Sequence, residues 1–154
     1  MSSSTDTVLG TDLRVVLGPP TMAAHDSSAL DLRLGAGNID RSLEGPMLLA
    51  GRHNLGQALI LRLLTARGTL ADLGHARYGS RLHELIGERK SESSRALCKA
   101  HVLEVVAQEP RVDDTAVAFA FDIESEGPSE LRFSLTVQPV DGTDPLTVGL
   151  GVTL

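Results

Sequence analysis

The residues that could do chemistry are few, and the histidines come first. The sequence holds five of them, namely His25, His53, His75, His83 and His101. His101 and Glu104 are one helical turn apart, a spacing found in some metal sites. A structural zinc site takes four ligands, so this single pair predicts two ordinary helix residues. We expect no metal site and no cofactor.

Nucleophilic catalysis finds equally little support. Cys98 would need a neighbouring base and an electropositive setting, but Lys99 and His101 fall on other faces of its predicted helix. We therefore expect Cys98 to pack as a small hydrophobic residue. Ser80 lacks the G-x-S-x-G elbow of hydrolases. The glycines at 35 and 37 lack the third glycine of a dinucleotide fingerprint and predict a turn.

Carboxylates are the remaining candidates, because glycoside hydrolysis needs only two, placed roughly 5–9.5 Å apart. Three glutamates follow each other at intervals of four, with basic residues between them: Glu84, Glu88 and Glu92, with Arg81, Arg89 and Lys90. This pattern is typical of a solvated, salt-bridged surface. For a glycosidase reading, Glu84 and Glu109 are the two carboxylates that we would name.

Glu109-Pro110-Arg111 follows the second long predicted helix. A glutamate there faces the negative end of the helix dipole, which is unfavourable by a few tenths of a kcal/mol (~0.3 or more) when it is exposed. One interpretation is a local ion pair between Glu109 and Arg111 at a helix-to-strand corner. The other is a docking fork for a partner, since arginine offers a rigid, bidentate set of donors.

The elements that position these residues follow from the hydrophobic spacing. Residues 53–67 predict a largely buried helix ended by Gly68. Residues 80–86 predict a short helix with Leu82, Leu85 and Ile86 inward. Residues 91–108 predict a second long helix, capped by serines and stopped by Pro110. Its expected inner stripe consists of Ala96, Ala100, Leu103, Val106 and Ala107.

After Pro110 the hydrophobic period changes from 3.6 to 2. Residues 117–123, 131–137 and 146–154 each alternate between apolar and polar or small side chains, which predicts an antiparallel meander. A short strand at 30–34 could add to it. The sequence predicts an α+β fold, with helices packed on one face of a three- to four-stranded antiparallel sheet. We expect a flexible segment over residues 1–9 and a single domain over residues 10–154.

Composition narrows the function classes. The formal net charge of −6 argues against nucleic-acid binding and against an anionic membrane surface. A single cysteine excludes an internal disulfide. The first residues do not resemble a signal peptide, and the longest apolar stretch falls short of the about 20 residues of a membrane span. We expect a cytoplasmic protein without membrane insertion.

Four motifs in a fixed order resemble the gene-25-like (GPW) baseplate wedge family of contractile phage tails. Related subunits occur in type VI secretion and extracellular contractile injection systems. The motifs are Gly10-Thr11-Asp12-Leu13, Leu63-Leu64-Thr65-Ala66-Arg67-Gly68, Tyr78-Gly79-Ser80-Arg81-Leu82 and Glu109-Pro110-Arg111-Val112. The resemblance runs from about Gly10 to the end of the sequence.

The resemblance implies a non-enzymatic, structural role in the baseplate of a tail-like particle. Glu109, Pro110 and Arg111 would grip the helical bundle of the larger wedge proteins. The last strand, with Leu146, Val148, Leu150 and Val152, would offer an open edge to the tail sheath subunit and template the first sheath ring. Hub or tube-end proteins are further candidate partners.

Other interpretations stay open. The N-terminal segment could cover the strand edge. Some proteins of this family have been described as lysozyme-like, so a glycoside hydrolase of a tail baseplate is the alternative function. A small adaptor or chaperone of unrelated origin is a third.

Overall fold

The computed structural model describes residues 8–13 and 48–154 of the chain. These residues form two α-helices, a two-stranded ribbon and a three-stranded sheet. The elements are β1 (Thr11–Leu13), β2 (Leu48–Ala50), α1 (Gly51–Leu64), α2 (Glu92–Ala107), β3 (Val112–Phe121), β4 (Glu130–Pro139) and β5 (Leu146–Thr153). Short 3₁₀ helices span Ala71–Leu73, Leu82–Leu85 and Ile123–Ser125.

The three-stranded sheet is an antiparallel meander in the order β3-β4-β5. Leu135 pairs with Phe119 on one side and with Val148 on the other, so apolar side chains from all three strands share one face. The opposite face carries small or polar residues such as Ser134 and Gly149. This two-faced pattern follows from the period-2 alternation, and the α+β prediction is confirmed.

Both long helices cover the apolar face of the sheet. α1 packs mainly against β5, and α2 packs against β3 and α1. The core joins the two helices to the sheet through Leu59 and Ile60 of α1, Val102 and Val105 of α2, and the inward residues of β4 and β5. No helix among the described residues is long and apolar enough to cross a bilayer.

The second helix begins where the serines predicted it. The Ser91 hydroxyl accepts the backbone N–H of Ser94 at 3.2 Å, and the Ser94 hydroxyl accepts the backbone N–H of Ser91 at 2.9 Å. This reciprocal capping box satisfies two donors that have no partner within the helix.

The predicted inner stripe of α2 was wrong by almost half a turn. Val106 is buried as expected, but Ala96, Ala100 and Ala107 are exposed and Leu103 is only half-buried. The buried face instead consists of Ser94, Cys98, His101, Val102, Val105 and Val106. Both faces have helical spacing, and packing selects the face with the larger valine side chains because they remove more apolar area from water.

The first helix ends at Leu64, three residues before the predicted end at Arg67. The chain leaves the helix because residues 65–67 pair with Ser80 as in a parallel bridge. Ser80 N–H donates to the Thr65 carbonyl and Arg67 N–H donates to the Ser80 carbonyl, each at 2.8 Å. Gly68, the predicted stop, adopts a positive φ of 93° within the following turn.

The predicted short helix is the 3₁₀ helix Leu82–Leu85. Leu82 and Leu85 are buried as expected, but Ile86 is 72% exposed, so its inward assignment was wrong. A 3₁₀ helix has three residues per turn, which aligns Leu82 with Leu85 and turns the next residue away from the core.

Leu9 lies on the N-terminal side of the boundary expected at Gly10, yet its side chain is fully buried. The packed part of the chain therefore includes residue 9. The strand predicted at residues 30–34, the turn at 35–37 and His25 lie outside the described residues.

Candidate docking site at the helix-to-strand corner

The corner between α2 and β3 is built around a bidentate ion pair. Arg111 Nε donates to Glu109 Oε1 at 2.7 Å and Arg111 Nη2 donates to Glu109 Oε2 at 2.9 Å. The Glu109 residue is 4% exposed, whereas Pro110 between the two is exposed. Of the two interpretations of this motif, the local ion pair is confirmed, and docking by the corner stays a prediction.

Arg111 also binds a segment that is distant in the sequence. Arg111 Nη1 donates to the Leu9 carbonyl at 3.0 Å, and Asn54 Nδ2 donates to that carbonyl at the same distance. The corner thereby ties the N-terminal segment to α1 and to the start of β3. Sequence reasoning missed Asn54 and Leu9, because the two hydrogen bonds to the Leu9 carbonyl join residues 45 and 102 positions apart.

Arg62 and Tyr78 complete the surroundings of the ion pair. Arg62 Nη2 lies 3.8 Å from Glu109 Oε2, and its guanidinium carbon lies 4.9 Å from the centre of the Tyr78 ring. Burial raises the pKa of Tyr78 above its usual value. Tyr78 belongs to the predicted motif, whereas nothing in the sequence marked Arg62.

The electrostatics hold Glu109 as a carboxylate. Burial alone would raise its pKa, but the hydrogen bonds and charge of Arg111, together with the charge of Arg62, outweigh burial and lower it. For Arg111, the hydrogen bond to Glu109 is the main reason that its pKa is raised. Both members of the pair are therefore charged at neutral pH.

Glu84, the other carboxylate of the glycosidase reading, is exposed and bound by Arg81. Arg81 Nε and Nη2 donate to its two oxygens at 2.9 Å each, and the hydrogen bond from Arg81 is the main cause of its lowered pKa. A glycosidase acid needs a carboxyl group with a raised pKa so that it can deliver a proton. The pKa values of Glu84 and Glu109 are both lowered, which is the opposite of what a glycosidase acid needs.

The His101–Glu104 pair is also occupied by internal contacts. Glu104 Oε1 accepts from Arg67 Nη1 at 2.6 Å, and His101 Nε2 lies 3.9 Å from Glu84 Oε2. Burial lowers the pKa of His101. Among the described residues, no group of three or more histidines, cysteines, aspartates or glutamates is placed to hold a metal ion.

The last strand, β5, lies at an edge of the three-stranded sheet. Leu146, Val148, Leu150 and Val152, which the sequence named as partner-binding, point into the core. A partner strand would therefore meet the backbone of the alternate residues. Leu154 N–H donates to the Ser129 carbonyl, so the strict alternation of an antiparallel ladder directs the N–H groups of Thr147, Gly149, Gly151 and Thr153 outward.

An open groove of about 320 Å³ runs beside this edge. Its walls include Leu64 at the end of α1, Leu82 and Ile86 from the 3₁₀ turn, and Leu150 and Val152 of β5. The groove places apolar surface next to backbone donors that have no partner among residues 8–13 and 48–154, which is the combination that β-strand addition uses.

The described elements thus define an α+β domain with an exposed strand edge and a charged corner. The same fold occurs in the crystal structure of a "putative tail lysozyme" from Geobacter sulfurreducens, with a TM-score of 0.56 and 14% sequence identity. The match covers 67% of this chain and 90% of that one. At this identity the likeness establishes a shared fold. No family model matches the chain, and no curated protein matches it.

Proposed function

We propose that the protein is a structural subunit of the baseplate of a contractile tail or injection machine. The observation that carries the proposal is the fold shared with the Geobacter protein, described as belonging to a tail, over 90% of that protein's length. The order of the four sequence motifs supports it. Three of those motifs are joined in space, since residues 65–67 pair with Ser80 and Arg62 links Tyr78 to Glu109.

In this proposal the corner docks onto the larger wedge proteins through its shape. Glu109 and Arg111 use their hydrogen-bonding groups on each other, so the pair holds the backbone of the corner in place. Pro110, which lies between them, is the exposed residue of the corner. The open edge of β5 receives an extended strand from the tail sheath subunit, with partner side chains reaching the apolar groove. Catalysis is not part of this role.

The first experiment is to recover tagged protein from its native cells and identify co-purifying proteins by mass spectrometry. Wedge and sheath proteins in stable association with it are the expected result. A protein that is absent from tail-like particles and recovered as a free monomer would overturn the proposal.

The edge of β5 has its own test. Thr147→Pro removes an outward N–H without touching a backbone hydrogen bond to β4, and edge strands tolerate proline at such positions. It also removes the 2.8 Å hydrogen bond between the hydroxyls of Thr147 and Thr136 on β4, which Thr147→Val removes equally. Thr147→Val keeps the N–H and serves as the matched control. We expect Thr147→Pro to lose the sheath subunit while retaining its melting temperature to within a few degrees (about 5 °C), whereas Thr147→Val keeps the sheath. Equal sheath recovery by both variants would refute strand addition.

The corner is tested with a surface change that leaves the ion pair intact. Pro110→Asp alters the exposed tip, and Pro128→Asp makes the same change at an exposed proline in the β3–β4 connection. We expect only Pro110→Asp to lose the larger wedge proteins. If both variants recover these proteins like the wild type, the corner is not the docking site.

The alternative function is a lysozyme-like hydrolase, favoured by the description of the Geobacter protein. Peptidoglycan release by purified protein tests it directly, with Glu84→Gln and Glu109→Gln as controls. We expect no release. Activity that disappears in either variant would replace the structural role with an enzymatic one.

A further inference from the structure

A second, polar pocket lies beside the corner. It has a volume of about 450 Å³ and opens between the last turns of α1, the loop at 74–78 and the end of α2. Its lining residues are Arg62, Gly74, His75, Ala76, Arg77, Tyr78 and Gln108. The volume is in the range of small-ligand sites, roughly 300–1,000 Å³, which suits one or two side chains.

The charge of this pocket is opposite to that of the chain. The whole sequence has a formal net charge of −6, yet the charged side chains that line the pocket are the guanidinium groups of Arg62 and Arg77. Arg77 is exposed and has no acidic partner within the described residues. A local field of this kind attracts a small anion, whereas the chain as a whole repels a polyanion.

Arg62 is fixed in place but retains donor capacity. Its Nη1 lies 3.4 Å from the Gln108 carbonyl oxygen and its Nη2 lies 3.8 Å from Glu109 Oε2, both longer than the charge-assisted contacts of about 2.7–2.9 Å. The Tyr78 ring supports the guanidinium from one side. The Tyr78 hydroxyl makes no hydrogen bond within the described residues and supplies a further donor.

The Gln108 side chain contacts the loop that carries Arg77. In the orientation that satisfies both ends of its amide, the nitrogen donates to the Arg77 carbonyl at 3.3 Å and the oxygen accepts from Arg67 Nη2 at 3.2 Å. Arg67 is in turn bound to Glu104. These contacts link the loop that carries Arg77 to the end of α2.

We propose that this pocket receives the carboxylate of an aspartate or glutamate side chain on a protein partner. The inference rests on the proposed function, because it names the chemistry of the partner that docks at the corner. Two guanidinium groups and a phenol line the same pocket, and a carboxylate accepts hydrogen bonds from donors of both kinds.

The test uses the full-length, ¹⁵N-labelled protein and two short peptides, acetyl-tetraglutamate-amide and acetyl-tetraglutamine-amide, at low salt. We expect saturable NMR shifts from the acidic peptide, centred on residues 75–78 and Gln108, and none from the neutral one. Arg77→Gln should weaken binding about fivefold, the size of one solvent-accessible charge-assisted bond. Arg89→Gln, at an exposed arginine outside the pocket, should leave it unchanged.

A second variant covers the case in which Arg77→Gln perturbs the loop. Tyr78→Phe removes the hydroxyl but keeps the ring under Arg62, so it should weaken binding about two- to threefold with an unchanged spectrum elsewhere. Binding that Arg77→Gln and Tyr78→Phe leave intact, or that Arg89→Gln weakens equally, would overturn the proposal. Inorganic phosphate binding the pocket more tightly than the acidic peptide would also overturn it, in favour of a phosphorylated occupant.

The result of the peptide-binding test can be distinguished from the result of the test of the proposed function. A protein that enters tail-like particles but does not bind the acidic peptide loses only the pocket assignment. A protein that binds the peptide through Arg77 but is absent from such particles keeps the pocket and loses the baseplate role.

Discussion

Arg111 holds Glu109 by two parallel hydrogen bonds of 2.7 and 2.9 Å, within a motif that contains only one residue between them. A third donor of the same guanidinium reaches the Leu9 carbonyl, 102 positions away in the sequence. The contact makes the corner a joint between the start of the described chain, α1 and the sheet. Its integrity therefore affects the stability of the fold and, under the proposed function, the shape of the docking surface.

We predict that Arg111→Ala destabilises the protein by about 3 kcal/mol, because it leaves the buried Glu109 carboxylate without its main partner. Arg62 at 3.8 Å compensates only in part. The measurement is urea unfolding at pH 7, with Arg89→Ala as an exposed control expected to change stability by less than about 0.5 kcal/mol. Indistinguishable midpoints for the two variants would show that the pair does not stabilise the fold.

Gly79 is predicted to tolerate no side chain. Its φ is +103°, and a Cβ there would collide with the Thr65 carbonyl oxygen and lie 3.0 Å from the Ala66 carbonyl carbon. We expect Gly79→Ala to cost more than about 2 kcal/mol, from backbone strain and disruption of the bridge to Ser80. Gly142→Ala, with φ +77° and open space, carries the strain alone and should cost about 1 kcal/mol. Equal unfolding free energies for both variants would contradict the packing argument.

Glu126 provides a pH-dependent part of the stability. Its side chain has no exposed surface and is bound by Arg95 at 2.6 and 2.7 Å and by Lys90 at 2.7 Å. The hydrogen bond from Arg95 is the main reason that the pKa of Glu126 falls from the ordinary 4.5 to about 2. The folded state thus binds this proton less readily than the unfolded state does. The stabilisation is complete above pH 4.5 and is lost as the pH falls towards 2.

We predict that Glu126→Gln lowers the unfolding free energy at pH 7 by about 1–3 kcal/mol and flattens its decline between pH 4.5 and 2. Glu124→Gln, an exposed residue of the same connection, is the matched control. Thermal unfolding measured at intervals across this pH range gives both curves. If the unfolding free energy of Glu126→Gln declines between pH 4.5 and 2 as steeply as that of the wild type, the Glu126 carboxylate is not the source of this decline.

Cys98 is predicted to be unreactive in the folded protein. Its side chain is fully buried, and burial is the main reason that its pKa is raised from 9.0 to about 12. A rise of about three units lowers the thiolate fraction about a thousandfold, so a disulfide reagent at pH 8 should react only after unfolding. The control is the double variant Cys98→Ala/Ala100→Cys, which moves the thiol to the exposed side of the same helix. Rapid labelling of the wild type without denaturant would contradict the buried assignment.

The sequence by itself determined the class of fold and the position of most elements. Alternation over residues 117–123, 131–137 and 146–154 predicts the three strands, because one face of an antiparallel sheet is buried and the other is solvated. The serines at 91 and 94 predict the start of α2, because the first helical N–H groups need acceptors close by in sequence. Such signals involve residues close together in the chain, so they can be recognised in a single sequence.

Tertiary structure decided which faces and which partners these elements use. α2 carries two apolar faces, and only contact with the sheet selects Cys98, Val102 and Val105 over Ala96 and Ala100. α1 ends at Leu64 and not at Arg67, since the backbone of residues 65–67 pairs with Ser80. Arg111 contacts Leu9, and Arg62 contacts Glu109, through long-range contacts that no local spacing encodes. Local patterns thus fix the elements, and long-range packing fixes their registers, their ends and the corner at which we expect partners to dock.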